Sequence, residues 1–96
     1  MADAADMRRV RFRVAGRVQG VGFRAHAEAE ARRLGVVGFV ENVRGGAVEG
    51  EAEGSAQQVD AFVAWLRSGP PWARVDRVDV EDLRATGEDR SFVVRR

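Results

Sequence analysis

The stretch Arg8-Arg-Val10-Arg-Phe12-Arg-Val14-Ala-Gly16-Arg-Val-Gln-Gly20-Val-Gly22-Phe-Arg24 changes its period partway along. Over residues 8–15 apolar and basic side chains alternate. Val10, Phe12 and Val14 fall on one side, Arg11 and Arg13 on the other, the pattern of a half-buried strand. Gly16, Gly20 and Gly22 punctuate a turn. Beyond it Phe23, Ala27, Ala31 and Leu34 recur at helical spacing, with Glu28 and Arg32 as an i,i+4 pair on the wet side. Gly35 suits the left-handed position that closes such a helix.

Working outward, residues 36–43 read as a second strand and Arg44-Gly-Gly46 as a tight connection. Residues 47–53 form a third strand, with Val48, Gly50 and Ala52 facing one way and Glu49, Glu51 and Glu53 the other. Ser55-Ala-Gln-Gln58 has the form of a capping box. It opens a helix whose apolar stripe is Val59, Phe62, Val63 and Leu66 and which Gly69-Pro70-Pro71 ends. Val75, Val78 and Val80 mark a fourth strand over residues 74–83; residues 84–90 are a polar loop, and residues 91–94 a short last strand. Two one-faced helices inserted among strands with one polar face are most simply placed on a single side of an antiparallel sheet. Right-handed crossovers then give an α+β sandwich of ferredoxin-like, split β-α-β topology: four antiparallel strands plus a short fifth. Strands one and three are neighbours in that topology. Arg11 and Arg13 therefore meet the glutamate row, each pair contributing roughly 0.2–1 kcal/mol. This row reads as structural.

The 96 residues suit one domain, since domains run to roughly 50–250 residues. Residues 1–7 read as a disordered tail and residues 8–96 as the domain. A composition of 45% hydrophobic and 32% charged residues is that of a globular chain. The absence of Cys removes disulfides, thiolate metal sites and thiol nucleophiles. His26 stands alone, which excludes a His-cluster metal site and suggests a surface helix residue. All basic residues are Arg, so Schiff-base and P-loop lysine chemistry is excluded. A net charge of +1 gives no general attraction to nucleic acid. The apolar runs are too short to span a membrane, and the acidic start of the chain does not resemble a secretory signal. A cytoplasmic, monomeric protein without a cofactor or metal is expected. Trp65 and Trp72 flank the Gly-Pro-Pro break and are expected to pack or to cover the sheet.

The glycine segment allows two readings. It serves either as a turn that needs positive φ at several places, or as a concave nest of backbone N–H groups that binds an anion. The second is favoured by the helix that follows, whose N-terminal N–H groups and dipole attract negative charge. Arg24 in the first helical turn opposes the dipole unless an anion is present for its guanidinium to fork onto. Neither a Walker loop nor a dinucleotide fingerprint is present, so a small phosphate or phosphate ester is implied rather than a nucleotide. Asn42, the only Asn, ends the second strand across from this loop. It either initiates the following turn or donates to a phosphoryl oxygen or a water.

Val14-x-Gly16-x-Val18-Gln19-Gly20-Val21-Gly22-Phe23-Arg24 resembles the first signature of the acylphosphatases. Gly38-Phe39-Val40-Glu41-Asn42, with Gly46-x-Val48 and Gly54, resembles the second. Glu41 departs from the family, which more often has a basic or neutral residue there. The resemblance implies hydrolysis of the carboxyl–phosphate bond of an acyl phosphate, with no metal and no covalent phosphoenzyme. It puts the family's arginine on Arg24 and its asparagine on Asn42. Gly16, Arg17, Val18, Gln19, Gly20, Val21, Gly22 and Phe23 then form the phosphate-binding loop, and inorganic phosphate is both product and inhibitor. The chemistry is self-consistent, because an acyl phosphate departs as a carboxylate and needs no general acid. Phosphoryl transfer of this kind rests on positioning and electrostatics. Two rivals are a non-catalytic ferredoxin-like module that senses a phosphorylated small molecule and an RNA-binding ferredoxin-like domain. The second needs exposed aromatics on the middle strands, where this chain has Arg11, Arg13, Glu49, Glu51 and Glu53.

Overall fold

Strand β1 (Met7–Arg17) is the second strand from one side of a five-stranded sheet in the computed structural model, which describes residues 6–96. It is followed by α1 (Phe23–Leu34), β2 (Val37–Asn42), β3 (Val48–Ser55), α2 (Ala56–Ser68), β4 (Arg74–Leu83) and β5 (Phe92–Arg95). The sheet order is β4-β1-β3-β2-β5. β1 pairs antiparallel with β3 and β4, and β2 pairs antiparallel with β3. β5 is the one strand that joins parallel, beside β2. The expected α+β topology is thus present, with a mixed rather than wholly antiparallel sheet.

The alternation in β1 buries Val10, Phe12 and Val14 completely or nearly so. On that face α1 contributes Phe23, Ala27 and Ala31, and α2 contributes Val59, Phe62 and Leu66. Alanines on α1 let the helix lie close to its neighbours. Phe62 is the centre of the core, with its ring centroid 5.8 Å from Phe12 and 5.4 Å from Phe92 in edge-on contacts. The capping box forms as expected: Ser55 Oγ accepts from the Gln58 N–H at 3.1 Å, and Gln58 Oε1 accepts from the Ser55 N–H at 2.8 Å.

β1 is longer than the alternating segment. It starts at Met7, opposite Ser55; residues 1–5 of the expected tail lie outside the described residues. At its other end it continues through a bulge at Ala15/Gly16 to pair Arg17 with Arg74. Gly16 is required there by close approach, since a Cβ would sit 2.1 Å from the carbonyl oxygen of Arg74.

The outer face carries the expected Arg–Glu register: Arg9 opposite Glu53, Arg11 opposite Glu51, Arg13 opposite Glu49. Glu53, however, is not open to solvent. The segment 84–90 folds over it, and the carboxylate accepts from the N–H groups of Thr86 at 2.8 Å and Gly87 at 2.9 Å. Arg9, also buried, donates to Glu53 at 3.1 Å, Glu51 at 2.7 Å and Asp89 at 2.7 Å. Trp65 packs against Phe23 and Phe62, as expected for a core aromatic. Trp72 does not pack: it is 79% exposed.

Candidate active site

Residues 18–22 leave β1 and enter α1. Val18 and Phe23 are each 1% exposed and anchor the two ends in the core. Between them Gly20 (φ 77°) and Gly22 (φ 76°) adopt left-handed conformations that side chains with a Cβ rarely take. The Gly22 carbonyl is pinned by His26, whose backbone N–H donates at 3.1 Å and whose Nδ1 lies at 2.8 Å. The sole histidine is therefore an exposed helix residue that braces the loop from behind. Among the described residues, the backbone N–H groups from Gln19 to Ala25 have no protein acceptor.

Of the residues that carry these groups, Gly20, Gly22, Phe23, Arg24 and Ala25 border a cavity of about 470 Å³. Val18, Gly20, Gly22, Phe23 and Arg24 line it from the loop and helix, and Asn42 from the end of β2. The structure thus brings Arg24 and Asn42 to one cavity, although they are remote in sequence. Arg24 is half-buried and its Nη1 donates to the carbonyl of Arg95 at 3.1 Å, which holds the guanidinium along the end of β5. Asn42 is exposed, paired in the ladder with Val48.

The remaining residues of the expected loop are placed elsewhere. Gly16 and Arg17 belong to β1 and do not line the cavity. Val21 packs against the core. The Gln19 side chain is turned to the β2–β3 connection, where Nε2 donates to the carbonyls of Val43 (2.8 Å) and Ala47 (2.9 Å). Glu41 does not line the cavity; in the ladder it is paired with Glu49 on β3 and Arg95 on β5, and the Arg95 guanidinium lies over the Phe39 ring, 3.6 Å from its centroid. Sequence reasoning missed the far wall of the cavity, made by Val93 and Val94 of β5 with Glu28 of α1. Nothing in the short Phe92-Val-Val run signals that it will lie beside Asn42's strand.

Electrostatically, the strongest perturbations lie away from the cavity. Burial pushes the Glu53 carboxyl up, but the N–H donors of Thr86 and Gly87, and then Arg9, outweigh it and hold the group below the usual carboxylate range. Burial works against the charged form of Arg9 too, yet Asp89, Glu51 and Glu53 raise it above its already high value. Among the described residues no cluster of three or more His, Cys, Asp or Glu could hold a metal ion, and no helix is long and apolar enough to cross a membrane.

Fold and cleft define a ferredoxin-like α+β domain whose strand–loop–helix junction faces the ends of two neighbouring strands. The acylphosphatase family pattern matches residues 10–94. An acylphosphatase of Methylococcus capsulatus is 52% identical over 90 residues, which cover 94% of this chain and 98% of that one. The crystal structure of acylphosphatase from Bacillus subtilis superposes with a TM-score of 0.89 at 34% identity, covering 93% of this chain and 99% of that chain. An acylphosphatase from Coxiella burnetii superposes with a TM-score of 0.86, also at 34% identity, covering 95% of each chain. The chain belongs to the acylphosphatase family. Its reaction is the family's, hydrolysis of an acyl phosphate to a carboxylate and inorganic phosphate.

Proposed function

We propose that Arg24 and the loop N–H groups from Gln19 to Phe23 hold the phosphoryl group, and that Asn42 orients the attacking water in line with the departing carboxylate. The observation that carries this reading is the single cavity shared by Arg24, Asn42 and a run of N–H groups without protein acceptors. A nest at a helix N-terminus stabilises the charge on the equatorial phosphoryl oxygens, and the guanidinium adds a fork of charge-assisted donors. To face the phosphate, Arg24 exchanges its single contact with the Arg95 carbonyl for phosphoryl oxygens, a small swing at the cavity rim. The leaving carboxylate is stable unprotonated, so no general acid is required. A catalytic metal is not part of this reading, and inorganic phosphate, which resembles the bound group, competes with substrate.

One chain supplies every group used, which supports a monomeric enzyme. A cytoplasmic location is part of the same reading. Asn42→Ala tests the central role. With an aryl acyl phosphate as substrate, kcat should fall on the order of 10²–10³-fold, while the inhibition constant for inorganic phosphate changes little. A folded Asn42→Ala protein with wild-type kcat would remove the water-positioning role and leave a phosphate-binding site alone.

A further inference from the structure

The Gln19 amide lies between the phosphate loop and the strand end that carries Asn42, and it makes two hydrogen bonds away from the cavity. Its Nε2 donates to Val43 O at 2.8 Å and to Ala47 O at 2.9 Å. Two carbonyl acceptors settle which end of the amide is nitrogen, because only an NH₂ group has a hydrogen for each. Both carbonyls already close the β2–β3 connection: Ala47 O accepts from Val43 N–H at 3.0 Å, and Val43 O from Gly46 N–H at 3.3 Å. Val43 follows Asn42 directly, and Gly20, a wall of the cavity, follows Gln19 directly. The connection contains Gly45 and Gly46, both at positive φ, where an added Cβ would meet nothing within 4 Å, so no side-chain packing at these two positions holds it in place.

We infer that Gln19 is a positioning residue for hydrolysis: its amide sets the separation between the phosphate loop and Asn42. This rests on the proposed roles of the loop and of Asn42. The phosphate site itself is built from the loop and Arg24, which remain when the amide is lost. What changes is the register of the Asn42-bound water against the phosphorus, and a misplacement near 1 Å costs about 10²-fold in rate. The effect belongs to kcat and not to phosphate binding.

The experiment uses Gln19→Met, Gln19→Glu, Asn42→Ala and the Gln19→Met/Asn42→Ala double variant of the full chain. Each is assayed with an aryl acyl phosphate, with inorganic phosphate as inhibitor, and its fold is checked by thermal melting. Gln19→Met should lose about 10–100-fold in kcat, with the phosphate inhibition constant within about threefold of wild type. Because Gln19 acts through Asn42, the double variant should lose about as much as Asn42→Ala alone rather than the product of the two losses. Gln19→Glu adds a readout that a merely structural role would not move. An ionised carboxylate cannot donate to either carbonyl, whereas the protonated acid donates to one. The two carbonyls favour the protonated form, which raises the group above the ordinary glutamate value of about 4.3. Activity of Gln19→Glu relative to wild type should therefore climb as pH falls from 8 to 5, while that of Gln19→Met stays level. A folded Gln19→Met with wild-type kcat, a loss confined to phosphate affinity, multiplicative losses in the double variant, or a level pH ratio for Gln19→Glu would each overturn the inference. If Asn42→Ala alone retains kcat, it is the water-positioning reading that fails, whatever Gln19→Met does.

Discussion

Replacing Arg9 by Met keeps the aliphatic bulk of the side chain and removes the charge that three carboxylates share. The side chains of Arg9 and Glu53 are only 8% and 2% exposed. Water cannot replace the lost donor at Glu53, and breaking one partner out of a buried ion pair costs about 3–5 kcal/mol. The lower end applies here, because Glu53 keeps the N–H groups of Thr86 and Gly87 and because Glu51 and Asp89 are partly exposed. In a domain of this size each kcal/mol moves Tm by about 4–8 °C, so a loss near 3 kcal/mol lowers Tm by roughly 12–24 °C at pH 7. The pH dependence has a definite sign. Glu53 is held below its ordinary value when folded, so its contribution is fully present above the unfolded value of about 4.3 and is lost as pH falls through the lower folded value. The gap between wild type and Arg9→Met should narrow as pH falls below the ordinary glutamate value of about 4.3, where Glu53 takes up its proton. Thermal melts by circular dichroism from pH 7 to pH 3 read both effects. The cluster sits at the opposite end of β1 from the phosphate loop, so turnover per folded molecule should be unchanged at temperatures well below Tm. A Tm within 2 °C of wild type at pH 7, or a gap that persists unchanged to pH 3, would refute the idea that this guanidinium locks the 84–90 segment to the sheet.

Arg24→Gln should weaken inhibition by inorganic phosphate at least tenfold and depress kcat as well, because a charge-assisted contact contributes about 1.5–3 kcal/mol; an unchanged inhibition constant would take Arg24 out of the phosphate site. Gly16→Ala should destabilise strongly at the β1–β4 bulge, where the new Cβ meets the Arg74 carbonyl oxygen at 2.1 Å, and denaturant titration should show this as a lower midpoint. Ser55→Ala should cost about 1 kcal/mol of stability with turnover intact, as loss of an N-cap does, measured by the same titration. Prolonged treatment with EDTA should leave turnover unchanged; loss restored by a divalent cation would overturn the metal-free reading.

The elements of this fold are legible in the chain because their signals are local. Alternation in Val10, Phe12 and Val14, helical spacing of Phe23, Ala27 and Ala31, and the Ser55–Gln58 box each depend on a few neighbouring residues, and each appears in place. The Arg–Glu register across β1 and β3 was readable too, since the topology makes those strands neighbours and side chains alternate with a period of two. Arg24 stood out as a guanidinium placed beside a glycine loop, whereas Asn42 took its role from the resemblance to the acylphosphatase signatures, its place before a turn leaving two readings open.

Other features depended on contacts between parts of the chain far apart in sequence. The open-face reading of Glu53 failed because residues 84–90, polar and without a period, bring backbone N–H groups onto it. Trp72 was misjudged because an aromatic side chain carries no mark of which way a Gly-Pro-Pro turn will present it. Gln19 looked like one more loop residue; only the folded β2–β3 connection supplies the two carbonyls that turn it away from the cavity. Likewise, Val93 and Val94 became the far wall only when β5 docked parallel to β2. Local periodicity determined the strands and helices, because it is set by backbone geometry. The cavity's shape was decided by tertiary structure, because its walls come from three separate segments whose distances are set only when the sheet order closes.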